Sequence, residues 1–497
     1  MVDSLKNYEK RYLLLINTIT VIFLFILLYK AFENNKLIIG LEISVFLILA
    51  ITYLNILFEN SYLFFIDVRL SFILGYFFYN LYTPIVYCFS QPQILDYGIS
   101  DPGWIFNSND VQRSLLISII FLVGLLLALA IFKIKKTNAI SVDNKHFIIN
   151  NSKINFYLWL IIFIVSFTWY IYPYILMGFQ VIKYDRWYRY TFLFNNLKSQ
   201  LGIINKLLNF FFSNLLMLIA SFMMFKNTIN NRSKFQRPVL IVIFFLCSIF
   251  MLFIDLRRRE LLIVILMCIS YYLFQIRYSQ SSKKIIKKII FSLLFLLVFF
   301  IVYQHYREYF KYGNADGISA ITHMKSKESY RYKKAEVYYN EFGMVYLTNL
   351  SSVKYAPELF YGKSYIEAII KPIPFIEKST YEWLGYDKDR DVIDVWLSTI
   401  YIDLFLEGGG LGYSPASEAF VNFGYLGCLI IGFAIGILLN LVYKKLCNNK
   451  CIVIYCILFS LAFLFSRTDF FGFTYEFFWL VFYYIFYSSI FKVIRSF

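Results

Sequence analysis

Long apolar runs recur along almost the whole chain. About twelve of them approach 20 mainly apolar residues, the length of helix that crosses the hydrocarbon core of a bilayer. They lie at about 12–30, 37–57, 70–89, 114–133, 156–177, 207–225, 238–255, 260–276, 288–305, 419–441, 451–466 and 475–492. We therefore predict an all-α, polytopic integral membrane protein with about twelve transmembrane helices.

Composition agrees with a membrane protein. The 497 residues are 60% hydrophobic and 16% charged, whereas a soluble domain is about 25% charged. No small-residue cleavage site follows the first apolar run, so we expect no cleaved signal peptide. The seven cysteines lie mostly in or beside apolar runs. Cys447 and Cys451 are joined by no second pair and no histidine cluster, so we expect neither a metal site nor a disulfide framework.

Lysines and arginines collect at span boundaries that would all lie on one side of the membrane. They lie before the first span and after the fourth, sixth, eighth, tenth and twelfth. Basic loops of this kind face the cytoplasm. If the chain alternates across the membrane, all of them fall on one side. We therefore predict that both termini are cytoplasmic.

The longest hydrophilic stretch, 306–418, then lies outside the membrane. It has 13 of the chain's 48 basic residues and 16 of its 31 acidic residues, a charge of −3, which leaves +20 for the rest. The basic excess thus reflects topology, and we expect no nucleic-acid partner. We divide the chain into an N-terminal bundle (1–305), a large extracytoplasmic loop with amphipathic helices (306–418) and a C-terminal bundle (419–497).

Aromatic and acidic side chains interleave late in this outer loop. Asp403 follows Trp396 and Tyr401 along the chain. An aromatic ring packs on the C–H groups of a sugar, and a carboxylate accepts hydrogen bonds from its hydroxyls, so the pattern suits a glycan site. Interfacial helices with an aromatic belt are the alternative, and the pattern alone leaves both open.

Arginines on the predicted outer face are not explained by orientation. Arg257, Arg258 and Arg259 precede Glu260 between two apolar runs. Guanidinium groups at a membrane surface can bind a diphosphate bidentately. The alternative is a tight hairpin whose arginines extend to lipid headgroups. Helical spacing aims the three side chains in different directions, so only one or two would face the bundle.

Two smaller sets extend this basic surface. Arg186 and Arg189 alternate with aromatic residues after the fifth span, and Arg467 precedes Asp469 after the eleventh. Both sets are candidates for diphosphate binding, with an interfacial anchor as the alternative reading of each.

The stretch 404–427 joins the polar loop to the tenth span. Three consecutive glycines at 408–410 permit backbone conformations that other residues avoid. Ser414 and Pro415 then predict a helix start, with Glu418 in its first turn at the membrane boundary. A glycine loop feeding a helix start can hold an anion or a sugar. A flexible turn re-entering the bilayer fits the spacing equally well.

Three motifs together resemble a known family. They are RRRE at 257–260, YGKSYIEAIIKPIP at 361–374 and GGGLGYSPASEAFVNFGYLG at 408–427. This set resembles the Wzy-type polymerases of O-antigen and capsular polysaccharides. The most specific piece is E-A-[YF]-x-N-F-G, here 418–424. The resemblance covers the second half of the chain well and the first half only in its apolar pattern.

The resemblance implies a helical membrane fold of the GT-C type. It also implies a metal-independent, inverting glycosyltransferase of the bacterial cytoplasmic membrane, so no cofactor is expected. Such enzymes join oligosaccharide repeat units on undecaprenyl diphosphate at the outer face. The implied partners are that lipid-linked donor and acceptor, membrane lipids and a chain-length regulator protein.

The implied chemistry assigns roles to the candidate residues. The leaving diphosphate is expected on the arginines at 257–259, on Arg186 and Arg189, and on Arg467. Glu418 is the first choice of base, with His305 and Asp403 behind it. A carboxylate at a helix start normally keeps a low pKa, so orienting the acceptor is its alternative role. Contacts to the glycan are expected from Trp396, Tyr401, Tyr413 and Asn422.

Two other functions use the same features. A flippase or transporter for a lipid-linked glycan fits the span count, although the long outer loop argues against it. A ligase that moves finished glycan to another acceptor shares the chemistry and differs in the acceptor. The products separate the three: a polymer ladder, translocation without bond formation, or transfer to a non-carrier acceptor.

Overall fold

The computed structural model describes residues 2–60, 67–90, 95–96, 105–132, 153–178, 202–231, 236–251, 258–277, 341–356, 359–370, 372–373, 396, 413–446 and 451–496. These residues form fourteen helices and one two-stranded antiparallel sheet, which confirms the all-α class for the described part. The first half comprises α1 Val2–Glu33, α2 Leu37–Asn60, α3 Val68–Phe89, β1 Leu95–Asp96, β2 Ile105–Phe106, α4 Ser108–Ile131, α5 Lys153–Leu176, α6 Gly202–Phe211 and α7 Asn214–Asn231. The second half comprises α8 Gln236–Ile249, α9 Arg258–Arg277, α10 Glu341–Tyr355, α11 Lys363–Ile370, α12 Pro415–Leu446, α13 Ile452–Phe465 and α14 Phe470–Ser496.

Seven helices of the described ranges are long and apolar enough to cross a membrane. They are Leu37–Glu59, Val68–Phe89, Ser108–Ile131, Ile154–Leu176, Leu207–Ile229, Pro415–Lys444 and Phe470–Ile494. Gln236–Ile249 and Ile452–Phe465 are shorter apolar helices. The chain is thus a polytopic integral membrane protein. The predicted ninth span, 288–305, lies outside the described residues, and the total of about twelve stays a prediction.

The closest helix approach joins α4 to α12. Gly432 and Gly436 form a G-x-x-x-G pair on α12. A Cβ on Gly432 would collide with the carbonyl oxygen of Phe121, and one on Gly436 would lie 2.6 Å from the Cβ of Ala128. Small residues let two membrane helices approach until their backbones touch, which supplies packing where lipid gives no hydrophobic drive. This contact holds the middle of α12 against α4.

A buried ion pair fixes the opposite end of α12. Asp67 and Arg69 are 0% and 1% exposed, and their Oδ2 and Nη2 atoms are 2.6 Å apart. Arg69 also donates from Nη1 to Oδ1 of Asn440 at 2.9 Å and stacks on the Tyr443 ring. The starts of α3 and α13 and the end of α12 therefore meet at one end of the bundle, since the Tyr455 hydroxyl accepts from the Val68 N–H. These are ends that the alternating topology places on the same side.

Helix α10 differs from the amphipathic surface helix expected in the outer loop. Between Gly343 and Val353 every residue is buried except Met344, which is partly buried. The helix packs against α3, α4 and α12. An apolar period alone does not distinguish a helix on the bilayer surface from one enclosed by others. This part of the 306–418 stretch thus contributes to the bundle core.

The polar face of α10 is enclosed by hydrogen bonds. The Asn349 amide nitrogen donates to Oδ1 of Asn80 on α3 at 2.8 Å, and its oxygen accepts from the Ser417 hydroxyl on α12. The Ser118 hydroxyl on α4 donates to the same Asn80 oxygen at 3.1 Å. These four side chains are 0% exposed. Buried polar groups of this kind join membrane helices when each finds a partner.

Candidate active site

Helix α12 begins where the sequence predicted. Pro415 is its first residue, and the Ser414 hydroxyl accepts from the Ala416 N–H at 3.3 Å. Proline suits this position because its missing N–H would have no intrahelical acceptor. Glu418 follows in the first turn and is only 1% exposed, so its side chain is enclosed by the protein.

Gly424 divides α12 into two helical segments. Its φ of 68° and ψ of −157° lie in a region that is open essentially to glycine alone. The break leaves a short segment, 415–423, ahead of the membrane-crossing segment, 425–446. The last carbonyls of a helix need partners from outside it. Here the carbonyls of Val421 and Asn422 accept the N–H groups of Phe360 and Tyr361, each at 3.0 Å.

Side-chain hydrogen bonds join the two motif segments 361–364 and 418–424. Oδ1 of Asn422 accepts from the Gly362 N–H at 3.0 Å, and its Nδ2 donates to the Ser364 hydroxyl at 2.8 Å. Ser364 in turn donates to Oε1 of Glu418 at 2.7 Å. Gly362 has a φ of 86°, and a Cβ there would lie 2.9 Å from the Phe423 ring. The YGKS segment and the EAFVNFG segment therefore form one hydrogen-bonded unit.

Glu418 extends this unit to the start of α14. Its Oε2 accepts from the Phe470 N–H at 2.7 Å, and Asp469 Oδ1 accepts from the Gly472 N–H at 3.0 Å. Two carboxylates thus meet the positive end of a 27-residue helix, where negative charge is stabilised. With both oxygens engaged and almost no exposed surface, Glu418 is built to position α11, α12 and α14.

Tyr365 closes the apolar side of the same junction. Its ring stacks on Phe423 with centroids 6.2 Å apart and meets the Phe470 ring edge-on at 5.5 Å. Burial, and after it the Glu418 carboxylate, raises the pKa of the Tyr365 phenol well above its ordinary value. The phenol is therefore neutral at any physiological pH and acts as a packing residue.

Arg259 reaches the other side of the same α14 turn. Its Nη2 is 2.9 Å from Oε2 of Glu476, a residue that sequence reasoning overlooked. It also lies 3.8 Å from where a Cβ on Gly472 would be. This ion-pair partner lies 217 residues further along the chain. A lone carboxylate inside an apolar span was the available signal, because such residues are functional candidates by default.

Arg467 lies in the turn between α13 and α14. Its carbonyl accepts from the Tyr413 N–H at 3.0 Å, and its guanidinium carbon lies 5.9 Å from the centre of the Tyr79 ring. Two predicted site residues are thereby joined through the backbone. The turn also carries Asp469, so Arg467 is only a few residues from the Glu418 and Arg259 contacts.

Trp396 is the one described residue of the aromatic stretch. Its ring lies 6.2 Å from that of Phe360 in an edge-on arrangement, which places it beside the YGKS segment. Tyr413 and Asn422 are 2% and 0% exposed, so their side chains face the protein interior. Their predicted glycan contacts stay predictions.

Several predicted site residues cannot be located. His305, Asp403, Tyr401, Arg186, Arg189 and Arg257 lie outside the described residues, and Arg258 begins α9 with its side chain outside them too. Within the described ranges, no group of three or more His, Cys, Asp or Glu is arranged to hold a metal ion. Of the arginines predicted to bind the diphosphate, Arg259 and Arg467 are the two whose side chains the structure describes.

The architecture and the site together define a class: a polytopic helical membrane protein whose charged, interlocked junction lies at one end of the bundle. A family model described as O-antigen polysaccharide polymerase Wzy matches residues 14–497. The chain therefore belongs to the Wzy family of O-antigen polysaccharide polymerases. The match includes the first half, where the motifs had shown only an apolar pattern. Searches of curated proteins and of solved structures give no significant match.

Proposed function

We propose that this polymerase joins oligosaccharide repeat units carried on undecaprenyl diphosphate, at the outer face of the cytoplasmic membrane. The observation that carries the proposal is the junction at the start of α14. There the two motif segments meet Glu418, and Arg259 and Arg467 lie beside them. Basic side chains next to a rigid helical junction suit a reaction whose leaving group is a diphosphate.

The proposed step is an inverting displacement. A hydroxyl oxygen of the incoming lipid-linked unit forms a bond to the anomeric carbon of the growing chain. The bond from that carbon to the diphosphate oxygen breaks, and its electron pair leaves with undecaprenyl diphosphate. The hydroxyl proton passes to a base. Charge thus develops on the diphosphate, where guanidinium groups stabilise it without a metal ion.

The residues take four roles in this proposal. Arg259 and Arg467 bind the diphosphate, supported by the arginines at 257 and 258 and by Arg186 and Arg189. Glu418 holds the junction in register and orients the acceptor. His305 and Asp403 are the proposed proton acceptors, because both oxygens of Glu418 already accept hydrogen bonds. Trp396, with Tyr401 and Tyr413, is proposed to contact the glycan.

The proposal also includes the topology, the fold type and a protein partner. The distribution of lysine and arginine supports cytoplasmic termini and an outward-facing site. A GT-C-type arrangement is proposed from the resemblance, and a chain-length regulator is the proposed protein partner. The burial of helix α10 supports a functional role for the 306–418 stretch, since simple connectors do not enter a bundle core.

The test uses the whole protein in lipid nanodiscs with its lipid-linked repeat unit and no nucleotide. We expect a ladder of polymer products for the wild type. Arg467→Ala should shorten or abolish it, because the guanidinium is lost from the α13–α14 turn. Glu33→Gln, in the exposed Lys30–Glu33 pair, is the matched control and should leave the ladder intact.

Other products would assign another function. If the same protein in sealed vesicles moves the unit across the membrane without bond formation, the flippase is favoured. Transfer to a non-carrier acceptor with no ladder would favour the ligase. A normal ladder from Arg467→Ala would retain the polymerase and remove Arg467 from the site.

A further inference from the structure

The ion pair between Arg259 and Glu476 is incomplete. The described hydrogen bond uses only Nη2 of the guanidinium and Oε2 of the carboxylate. Nε of Arg259 is buried and has no hydrogen-bond partner among the described residues. A buried donor without a partner is unfavourable, and more so when it carries charge. The contact with Glu476 therefore leaves part of the hydrogen-bonding capacity of Arg259 unused.

Two further carboxylates lie near the pair. Glu260 is next to Arg259 on α9, and Asp469 Oδ1 and Arg259 Nη2 lie 2.9 Å and 3.8 Å from where a Cβ on Gly472 would be. Asp469 is already engaged at the start of α14. The Arg259 and Glu476 side chains are 29% and 13% exposed, so the contact is only partly enclosed. An incoming anion would have to compete with these carboxylates for the guanidinium.

A diphosphate is well suited to displace Glu476 from the guanidinium of Arg259. Its oxygens can accept two parallel N–H bonds from one guanidinium, whereas Glu476 accepts one. We propose that Glu476 is the resting counter-ion of Arg259 and competes with the lipid diphosphate for its guanidinium. This rests on the proposed function, in which Arg259 contacts the diphosphate.

The competition has a consequence for turnover. As the glycosidic bond to the carrier breaks, the negative charge on the diphosphate grows and Arg259 moves toward it. After the transfer, Arg259 pairs with Glu476 again, and its binding to the released lipid diphosphate weakens. An interaction that strengthens only as charge develops accelerates the reaction, whereas uniform binding would retain the product. Glu476 is thus a positioning residue that acts through Arg259.

The experiment measures binding of a short polyprenyl diphosphate, farnesyl diphosphate, to the whole protein in nanodiscs. Removal of a partly exposed carboxylate partner should tighten binding by about three- to tenfold in Glu476→Gln. Arg259→Gln should lose most of the binding. In turnover, Glu476→Gln should show a lower kcat, a lower KM and stronger inhibition by the same diphosphate. A merely structural carboxylate would instead weaken binding when it is removed.

Two controls separate competition from general charge. Glu260→Gln removes a neighbouring carboxylate that is not the described hydrogen-bond partner, so its effect should be clearly smaller than that of Glu476→Gln. Glu33→Gln should behave as wild type. If Glu476→Gln does not reach the membrane, Glu476→Asp withdraws the carboxylate by one methylene and should tighten binding by about twofold.

The outcomes distinguish the two proposals. If Arg259→Gln binds the diphosphate like the wild type, the assignment of Arg259 to the diphosphate is wrong. If Arg259→Gln loses binding while the Glu476 variants bind equally well or more weakly, the site stands and the competition is overturned. Equal tightening by Glu260→Gln would also overturn it, because the effect would then be general.

Discussion

Replacement of Glu418 by glutamine tests whether this residue positions the site or performs chemistry. The carboxylate accepts from the Ser364 hydroxyl and the Phe470 N–H, at 2.7 Å each. Glutamine keeps one acceptor oxygen and turns an NH₂ group toward the other donor. One buried donor loses its partner, and a charge leaves the start of α14. Together these changes should cost about 2 to 4 kcal/mol of stability.

The assay is unfolding of the protein in mild detergent by a graded denaturant, followed by intrinsic fluorescence. Ser364→Ala, which removes one donor, should cost about 1 to 2 kcal/mol. Because the two side chains are in contact, the double variant should be less damaged than the sum of the singles, and the difference gives their coupling. Polymer formation by the surviving folded fraction is measured in parallel over a range of pH.

The two roles of Glu418 give different results in that assay. If Glu418 only positions the junction, Glu418→Gln loses stability, and its folded fraction keeps the pH dependence of the wild type. If Glu418 is the base, the folded fraction of the variant loses activity, and the remaining activity lacks the acidic limb of the pH profile. That second result would refute the view that Glu418 acts only by positioning the junction.

Three further substitutions probe the architecture. Gly424→Ala should cost about 1 to 3 kcal/mol from backbone strain alone, because no atom lies within 4 Å of the added Cβ; denaturant unfolding measures it. Asn349→Leu should cost about 1 to 3 kcal/mol and increase proteolysis, because the Asn80 and Ser417 side chains lose a buried partner. Gly432→Ala should separate α4 from α12 and reduce the yield of monodisperse protein, since its Cβ would collide with a backbone carbonyl. Wild-type behaviour in any of the three would contradict the packing described for that position.

Helix boundaries were the most predictable part of the fold. The start of α12 at Pro415 follows from local signals, since proline and serine act on the backbone next to them. The apolar runs likewise marked helices that the structure contains. The division of the tenth span at Gly424 was missed, because an isolated glycine inside an apolar run reads as a tolerated helix residue until its φ is known.

Contacts between distant segments were not predictable from one sequence. The motif at 361–364 and the motif at 418–424 were both recognised, but nothing in their letters showed that Asn422 and Ser364 would bond to each other. Burial of Glu418 was missed for the same reason, since a helix start gives no measure of what packs over it. Glu476 was missed because one carboxylate near the start of an apolar run does not indicate which basic residue will pair with it.

The polar face of α10 has a consequence for the order in which the helices assemble during synthesis. Its hydrogen-bonding side chains have partners on α3 and α4, which precede it, and on α12, which is synthesised later. A nascent chain that ends before α12 would leave Asn349 without its Ser417 partner in an apolar setting. We therefore expect α10 to stay outside the bundle during synthesis and to enter it only when the carboxyl-terminal helices arrive. Completion of the core, and with it the junction at α14, would then be a late, post-translational event.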